Sequence, residues 1–281
     1  MSVWEEVEFA LPKAGITLRG RRGTGGSGLP VLCLHGILDN CAGFDPLAEY
    51  LVGADLIAVD LPGHGRSDPV PSVTCGYLEF AACVLELAHT QGWDRFRLIG
   101  HSLGGAVASL IAGLHPDKVD RLVLIDAIGP LSADPERTVS GTARYLDTYL
   151  RGDRHPVYRS RMQAVKARVQ LADILLDTAQ LLVDRDLVEV AAGYSWRHDV
   201  RLNRGITPTL TEEQVLAFLG AITAPTLLVT AERSSLVEPY YPARIGTVPK
   251  LRQVTLPGGH HLHIENAEAV AAEIAPFLVS G

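Results

Sequence analysis

At 281 residues, with 47% hydrophobic and 20% charged residues, the chain has the size and composition of one large α/β domain with a substantial core. A formal net charge of −7 argues against a nucleic-acid polyanion as partner. No apolar run reaches the roughly 20 residues that a membrane span needs, and residues 1–6 lack a basic segment followed by an apolar core, so a cytoplasmic protein is expected.

Cys33, Cys41, Cys75 and Cys83 are scattered, and without a secretory signal they are expected to stay reduced. Residues 3–11 and 16–22 alternate apolar and polar side chains, which predicts half-exposed strands at a sheet edge. The glycine-rich stretch 23–28 is no phosphate loop, because no Gly-Lys-Ser/Thr follows and a strand comes next. Residues 29–34 form a continuous apolar run, the mark of a strand buried on both faces. It ends in His35-Gly36-Ile37-Leu38-Asp39-Asn40. Residues 56–61 repeat the theme and run into a tight polar turn, Pro62-Gly63-His64-Gly65. A helix is predicted over 78–91 from apolar positions at spacings of three and four.

The strand 96–99 then enters Gly100-His101-Ser102-Leu103-Gly104, and the small-residue stretch 105–114 is helical in character. This is a G-x-S-x-G pattern inside the strand–turn–helix context that gives it meaning. A serine at so sharp a turn sits in a sparsely populated backbone conformation, at a cost of about 1–3 kcal/mol. Side chains at positions 100 and 104 would collide with the adjoining elements, which explains the glycines. Ser102 is therefore the expected nucleophile. A further buried-type strand, 119–125, ends at Asp126.

From Pro130 the character changes. Residues 137–151, 158–169 and 171–184 read as helices carrying many Arg and Asp residues, whose arginines are expected on solvated faces. The sheet pattern resumes over 224–230, a last strand is predicted at 251–256, and 266–278 closes the chain as an amphipathic helix. Residues 131–221 are thus an inserted helical cap on a core built from 1–130 and 222–281. Strands alternating with helices imply a mostly parallel sheet covered on both faces, with the ligand crevice beyond the carboxyl ends of its strands. His35, Asp60, Ser102 and Asp126 all fall at such ends.

Gly-His-Ser-Leu-Gly-Gly after a strand, His35-Gly36, and Gly-Gly-His-His-Leu-His-Ile-Glu at 258–265 together resemble the α/β-hydrolase fold family over nearly the whole chain. Gly193-Tyr194-Ser195-Trp196-Arg197-His198-Asp199 resembles a segment of its serine hydrolase-like, or Kraken-like, branch. The resemblance implies a histidine base in the loop after the last strand. Its spacing of Gly-His with a glutamate five positions on selects His260 with Glu265, leaving His261 and His263 to loop packing or substrate lining. No carboxylate or cysteine cluster accompanies these histidines, so no metal is expected.

The family's usual acid follows the strand 226–230, and Ser234 stands at that position here. Either Glu232, Glu238 or another nearby residue substitutes, or the carboxylate comes from another strand. Asp126 occupies the place used by a group of haloalkane dehalogenases and is favoured over Glu232, although a strand-end aspartate also commonly caps a loop. The oxyanion donors are expected to be the N–H groups of Leu103 and Ile37. His35, Gly36 and His101 are expected at the substrate. In the cap, Trp196 or Tyr194 either lines the pocket or anchors the cap.

A serine cannot perform the alkyl-ester chemistry of dehalogenases and epoxide hydrolases. The implied activity is therefore a cofactor-free serine hydrolase that cleaves a small-molecule carboxylic ester of a small or medium apolar acyl group. Thioesters, lactones and carbon–carbon bonds of vinylogous diketones are open to the same chemistry. The alternative class is a hydrolase-like binding protein whose triad is impaired at Ser234.

Overall fold

Period-two alternation does build the predicted edge: β1 (Trp4–Leu11) and β2 (Ile16–Gly23) pair antiparallel, and β2 continues antiparallel onto the strand Ala54–Val59. The computed structural model describes residues 4–172, 174–206, 209–234 and 240–279. The apolar runs supply β3 (Ser27–Leu34), β4 (Ala54–Val59), β5 (Phe96–His101), β6 (Val119–Ile125) and, after the insertion, β9 (Thr226–Ala231), while the more polar stretch Leu251–Leu256 forms the edge strand β10. β7 (Leu187–Val190) and β8 (Gly193–Trp196) form a separate antiparallel hairpin. The main sheet runs β1-β2-β4-β3-β5-β6-β9-β10 and is parallel from β4 to β10.

Successive side chains of a strand face opposite ways, so each central strand feeds two cores. Leu32, Leu34, Leu98, Leu122 and Leu124 pack with the helices Tyr77–Thr90 and Leu103–Leu114 on one face. Val31, Cys33, Ile99, Val123 and Ile125 pack with the helix Ala267–Val279 on the other. The four cysteines are buried free thiols.

The insertion contains helices Thr138–Arg151, Arg161–Ala172 and Leu176–Asp186, the β7–β8 hairpin, and the helix Glu212–Gly220. Two features differ from the sequence reading. The hairpin was not anticipated, because its four-residue strands are too short and too exposed to leave a buried apolar run. The helix Glu212–Gly220 belongs to the main core by packing, with Val215 and Leu219 buried among the same residues as Leu110 and Leu228. Core packing therefore resumes before residue 222.

The insertion's arginines are not all on solvated faces either. Arg185 is buried and gives its Nε to both oxygens of buried Asp60 at 3.0 and 2.8 Å, and its Nη1 to Glu6 at 2.8 and 2.9 Å. Arg168, also buried, donates to Asp39 at 2.5 Å. Two charged bolts thus run from the insertion into loops that follow β3 and β4. Among the described residues no helix is long and apolar enough to cross a membrane.

Candidate active site

β5 ends in a turn so tight that Ser102 is held at φ 50°, ψ −116°, a region that non-glycine residues rarely occupy. Its N–H is held by the Ile125 carbonyl at 3.2 Å. A side chain at position 104 would be driven into the Leu34 carbonyl, and one at position 100 into the backbone of Gly104 and Gly105. The two glycines are what lets strand, turn and helix come this close. Leu103 opens the helix Leu103–Leu114, so its N–H lies among the donors that have no intrahelical carbonyl to bond.

Ser102, Leu103 and Ile37 line a cavity of about 450 Å³. Its walls are mostly apolar and include Ala106, Ile128, Leu131 and Ile206. Arg244 also reaches it, but the guanidinium is bonded to Glu212 and to the carbonyls of Ile128 and Pro130, so the cavity carries no unmatched cation there.

β6 delivers Asp126, fully buried and at φ 47°, beside the histidine loop. Its Oδ2 accepts from His260 Nδ1 at 2.7 Å and from Ser234 Oγ at 2.8 Å; its Oδ1 accepts from the Ala231 N–H at 3.1 Å. Burial alone would raise the pKa of this carboxyl, yet the His260, Ala231 and Ser234 bonds hold it below the ordinary carboxylate value. The residue at the family's usual acid position thus donates a hydrogen bond to the carboxylate of another strand. Glu232 is exposed, and its N–H bonds the Leu256 carbonyl; the carboxylate at His260 is that of Asp126. Glu238 lies outside the described residues.

Ile37 and Leu103 share the Ser102 cavity, whereas none of the four other expected substrate contacts lines it. His35 is buried, accepts the Leu61 N–H at Nε2 and donates from Nδ1 to the Gly36 carbonyl, which fixes the loop after β3. Gly36 is buried against Asp39 and His101. His101 points beneath the turn and donates from Nε2 to the His260 carbonyl at 2.8 Å. Burial, with the neighbouring His260 and His261 rings, depresses its pKa to about 4 against the pull of Asp39, so it is neutral. Trp196, on β8, lines a separate cavity with Leu38, Tyr158 and His198. Both imidazoles at strand ends therefore hold loops in place, and the cap aromatic faces another space.

Sequence reasoning missed Asp39. His261 Nε2 donates to its Oδ2 at 3.2 Å, and His101 Nδ1 lies 3.6 Å away, beyond hydrogen-bond reach. The buried carboxyl is held well below its ordinary pKa: burial opposes ionisation, and His261, His101 and Arg168 outweigh it. One ligand atom from each of Asp39, His101 and His261 falls within 4.8 Å of the others, so a carboxylate does accompany the histidines. The Arg168 guanidinium already neutralises that carboxylate, which makes the cluster a poor host for a cation. Only the strand-end position of the His35–Asn40 loop hinted at any of this.

Residues 30–267 match the family model described as alpha/beta hydrolase fold. A "Serine hydrolase-like protein" of Danio rerio is 31% identical, with the match covering 96% of this chain and 88% of the relative. Among solved structures, a hypothetical protein of Pseudomonas aeruginosa superposes with a TM-score of 0.91 at 37% identity, covering 98% of this chain and all of that one. The thioesterase domain from the curacin biosynthetic pathway gives 0.85 at 29% identity, over 96% and 99% of the two chains. With the strained serine at a glycine-framed turn and the sheet order already described, the chain belongs to the α/β-hydrolase fold family, among its serine hydrolase-like members.

Proposed function

We propose that Ser102, His260 and Asp126 form a catalytic triad that cleaves an uncharged carboxylic ester through an acyl-enzyme. The observation that carries this reading is the 2.7 Å bond from His260 Nδ1 to buried Asp126. With Nδ1–H committed to the carboxylate, the free lone pair is on Nε2, the tautomer a general base needs. Nε2 takes the proton of Ser102 as its oxygen attacks the acyl carbon. The tetrahedral oxyanion is received by the N–H groups of Leu103 and Ile37. His260 returns the proton to the leaving oxygen, and water resolves the acyl-enzyme by the same steps in reverse.

The cavity volume and its apolar walls suit a small or medium acyl group without charge. The reading as a binding protein drew on the missing acid at position 234; the bonds of His260 and Ser234 to Asp126 support the triad reading instead. A thioester reading is favoured by the likeness to the curacin thioesterase domain, and a matched pair of oxygen and thiol esters of one acyl group separates the two. The direct test is a fluorophosphonate probe with p-nitrophenyl acetate. The expected result is labelling and turnover by the wild type and neither by Ser102→Ala; a folded wild type that fails to label overturns the proposal.

A further inference from the structure

The neighbouring residues Ile37 and Leu38 line two different cavities. Ile37 lines that of Ser102, and Leu38, held at φ 58°, lines a second of about 230 Å³ under the β7–β8 hairpin. The second space is walled by Leu38, Leu182, Val183 and two aromatics, Tyr158 and Trp196, set edge to face at 5.5 Å. Its polar lining is Arg168, Asp186, His198 and Asn203.

Asp186 accepts the His198 N–H at 2.9 Å and its Nδ1–H at 2.5 Å, which fixes Nδ1 as a donor. Among the described residues, His198 Nε2 is buried without a hydrogen-bond partner, and so is Arg168 Nε. Both residues line this cavity, and unmet buried polar atoms there call for a partner that the described residues do not supply.

We propose that this second cavity binds a small uncharged hydroxyl compound with an apolar or aromatic body, independently of Ser102. A hydroxyl both donates and accepts, so it satisfies His198 Nε2 in either protonation state while accepting from Arg168 Nε–H. An anion is opposed by Asp186, whose carboxylate lines the same space, and Arg168 is already matched by Asp39. The aromatic pair and the aliphatic walls receive the body of the ligand. The volume of about 230 Å³ equals about eight waters' share of liquid, which limits the ligand to a single small ring or its equivalent.

The test is binding of phenol and cyclohexanol against benzoate and toluene, read on the full chain by tryptophan fluorescence and by ligand-observed NMR. It needs no turnover, so it stands whether or not Ser102 proves reactive. The hydroxyl compounds should bind saturably and about tenfold tighter than benzoate or toluene, the worth of a hydrogen bond or so. Prior labelling of Ser102 by fluorophosphonate should change nothing. His198→Phe should weaken binding about tenfold. Because that change strips a buried carboxylate and can prevent folding, Leu171→Trp, a larger side chain at an exposed rim position, serves beside it and should weaken NMR-detected binding about as much. Absent saturable binding, toluene or benzoate equal to phenol, an unaffected Leu171→Trp protein, or binding lost on labelling Ser102 would each overturn the proposal.

Discussion

Replacing Asp126 by asparagine removes a charge whose three bonds are all accounted for. The amide oxygen can still accept from the Ala231 N–H, so the loop after β9 keeps its anchor. The amide nitrogen then faces His260 Nδ1, and two donors cannot share one bond. His260 must present its Nδ1 lone pair instead, which moves the proton to Nε2 and leaves no base for Ser102. A tautomer error of this kind costs about 10⁴ in kcat, or ~5 kcal/mol of barrier. Ser234 Oγ lies 2.8 Å from the lost oxygen, so Asp126→Asn combined with Ser234→Asp returns a carboxylate to the same neighbourhood and should recover about tenfold or more of the rate. The assay is kcat for p-nitrophenyl acetate, with thermal melting in parallel, and Glu232→Gln as the control that should stay near wild type. A melting-competent Asp126→Asn protein within about tenfold of wild type refutes the assignment, as does a larger loss in Glu232→Gln.

Arg185→Met strands the buried Asp60 carboxylate and should cost about 3–5 kcal/mol in urea unfolding; a change below about 1 kcal/mol would mean the pair is not holding the insertion. Gly104→Ala drives a methyl into the Leu34 carbonyl, so soluble yield should fall or stability drop by at least ~3 kcal/mol; a normal melting curve contradicts the close approach. Stability should also fall on acidification. His101 titrates at about 4 in the fold and at about 6.5 when unfolded, so the unfolded chain binds the extra proton between those values. That single group withdraws ~3 kcal/mol as pH drops from about 6.5 to about 4, and buried His35, His64 and His263, also depressed, act in the same direction. A flat urea midpoint across that window would refute the account.

The central strands were legible because burial writes itself into them as apolar runs; 119–125, with Asp120 and Arg121, and 251–256, half polar, are less uniform, yet both agree with the observed strands to the residue. Asp126 came into view through the resemblance to relatives with an acid at that place, which the convergence of strand ends on one crevice allowed; Asp60, at an equivalent end, is instead bonded to Arg185. The neighbours of that site were much less legible. Asp39 meets His261 across 222 positions and Arg168 across 129, and no local pattern announces such pairs. His35 and His101 read as substrate contacts because catalytic sites and buried hydrogen-bonded loops use the same residue type; only the coordinates show which face of the turn each ring takes. Trp196 was equally opaque, since an aromatic in a short exposed hairpin carries no signal for which of two cavities it serves.

The two arginine bolts have a consequence for how this protein can change. Arg168 and Arg185 tie the helices Arg161–Ala172 and Leu176–Asp186 to loops beside the central sheet, so a substitution that reshapes those helices disturbs buried charge before it alters what the Ser102 cavity accepts. The opposite rim, formed by Leu131, Ser132, Gly205, Ile206 and Thr209, meets the Ser102 cavity without either tie. Drift in substrate preference, natural or selected in the laboratory, should therefore accumulate along that rim while the bolted helices stay as they are.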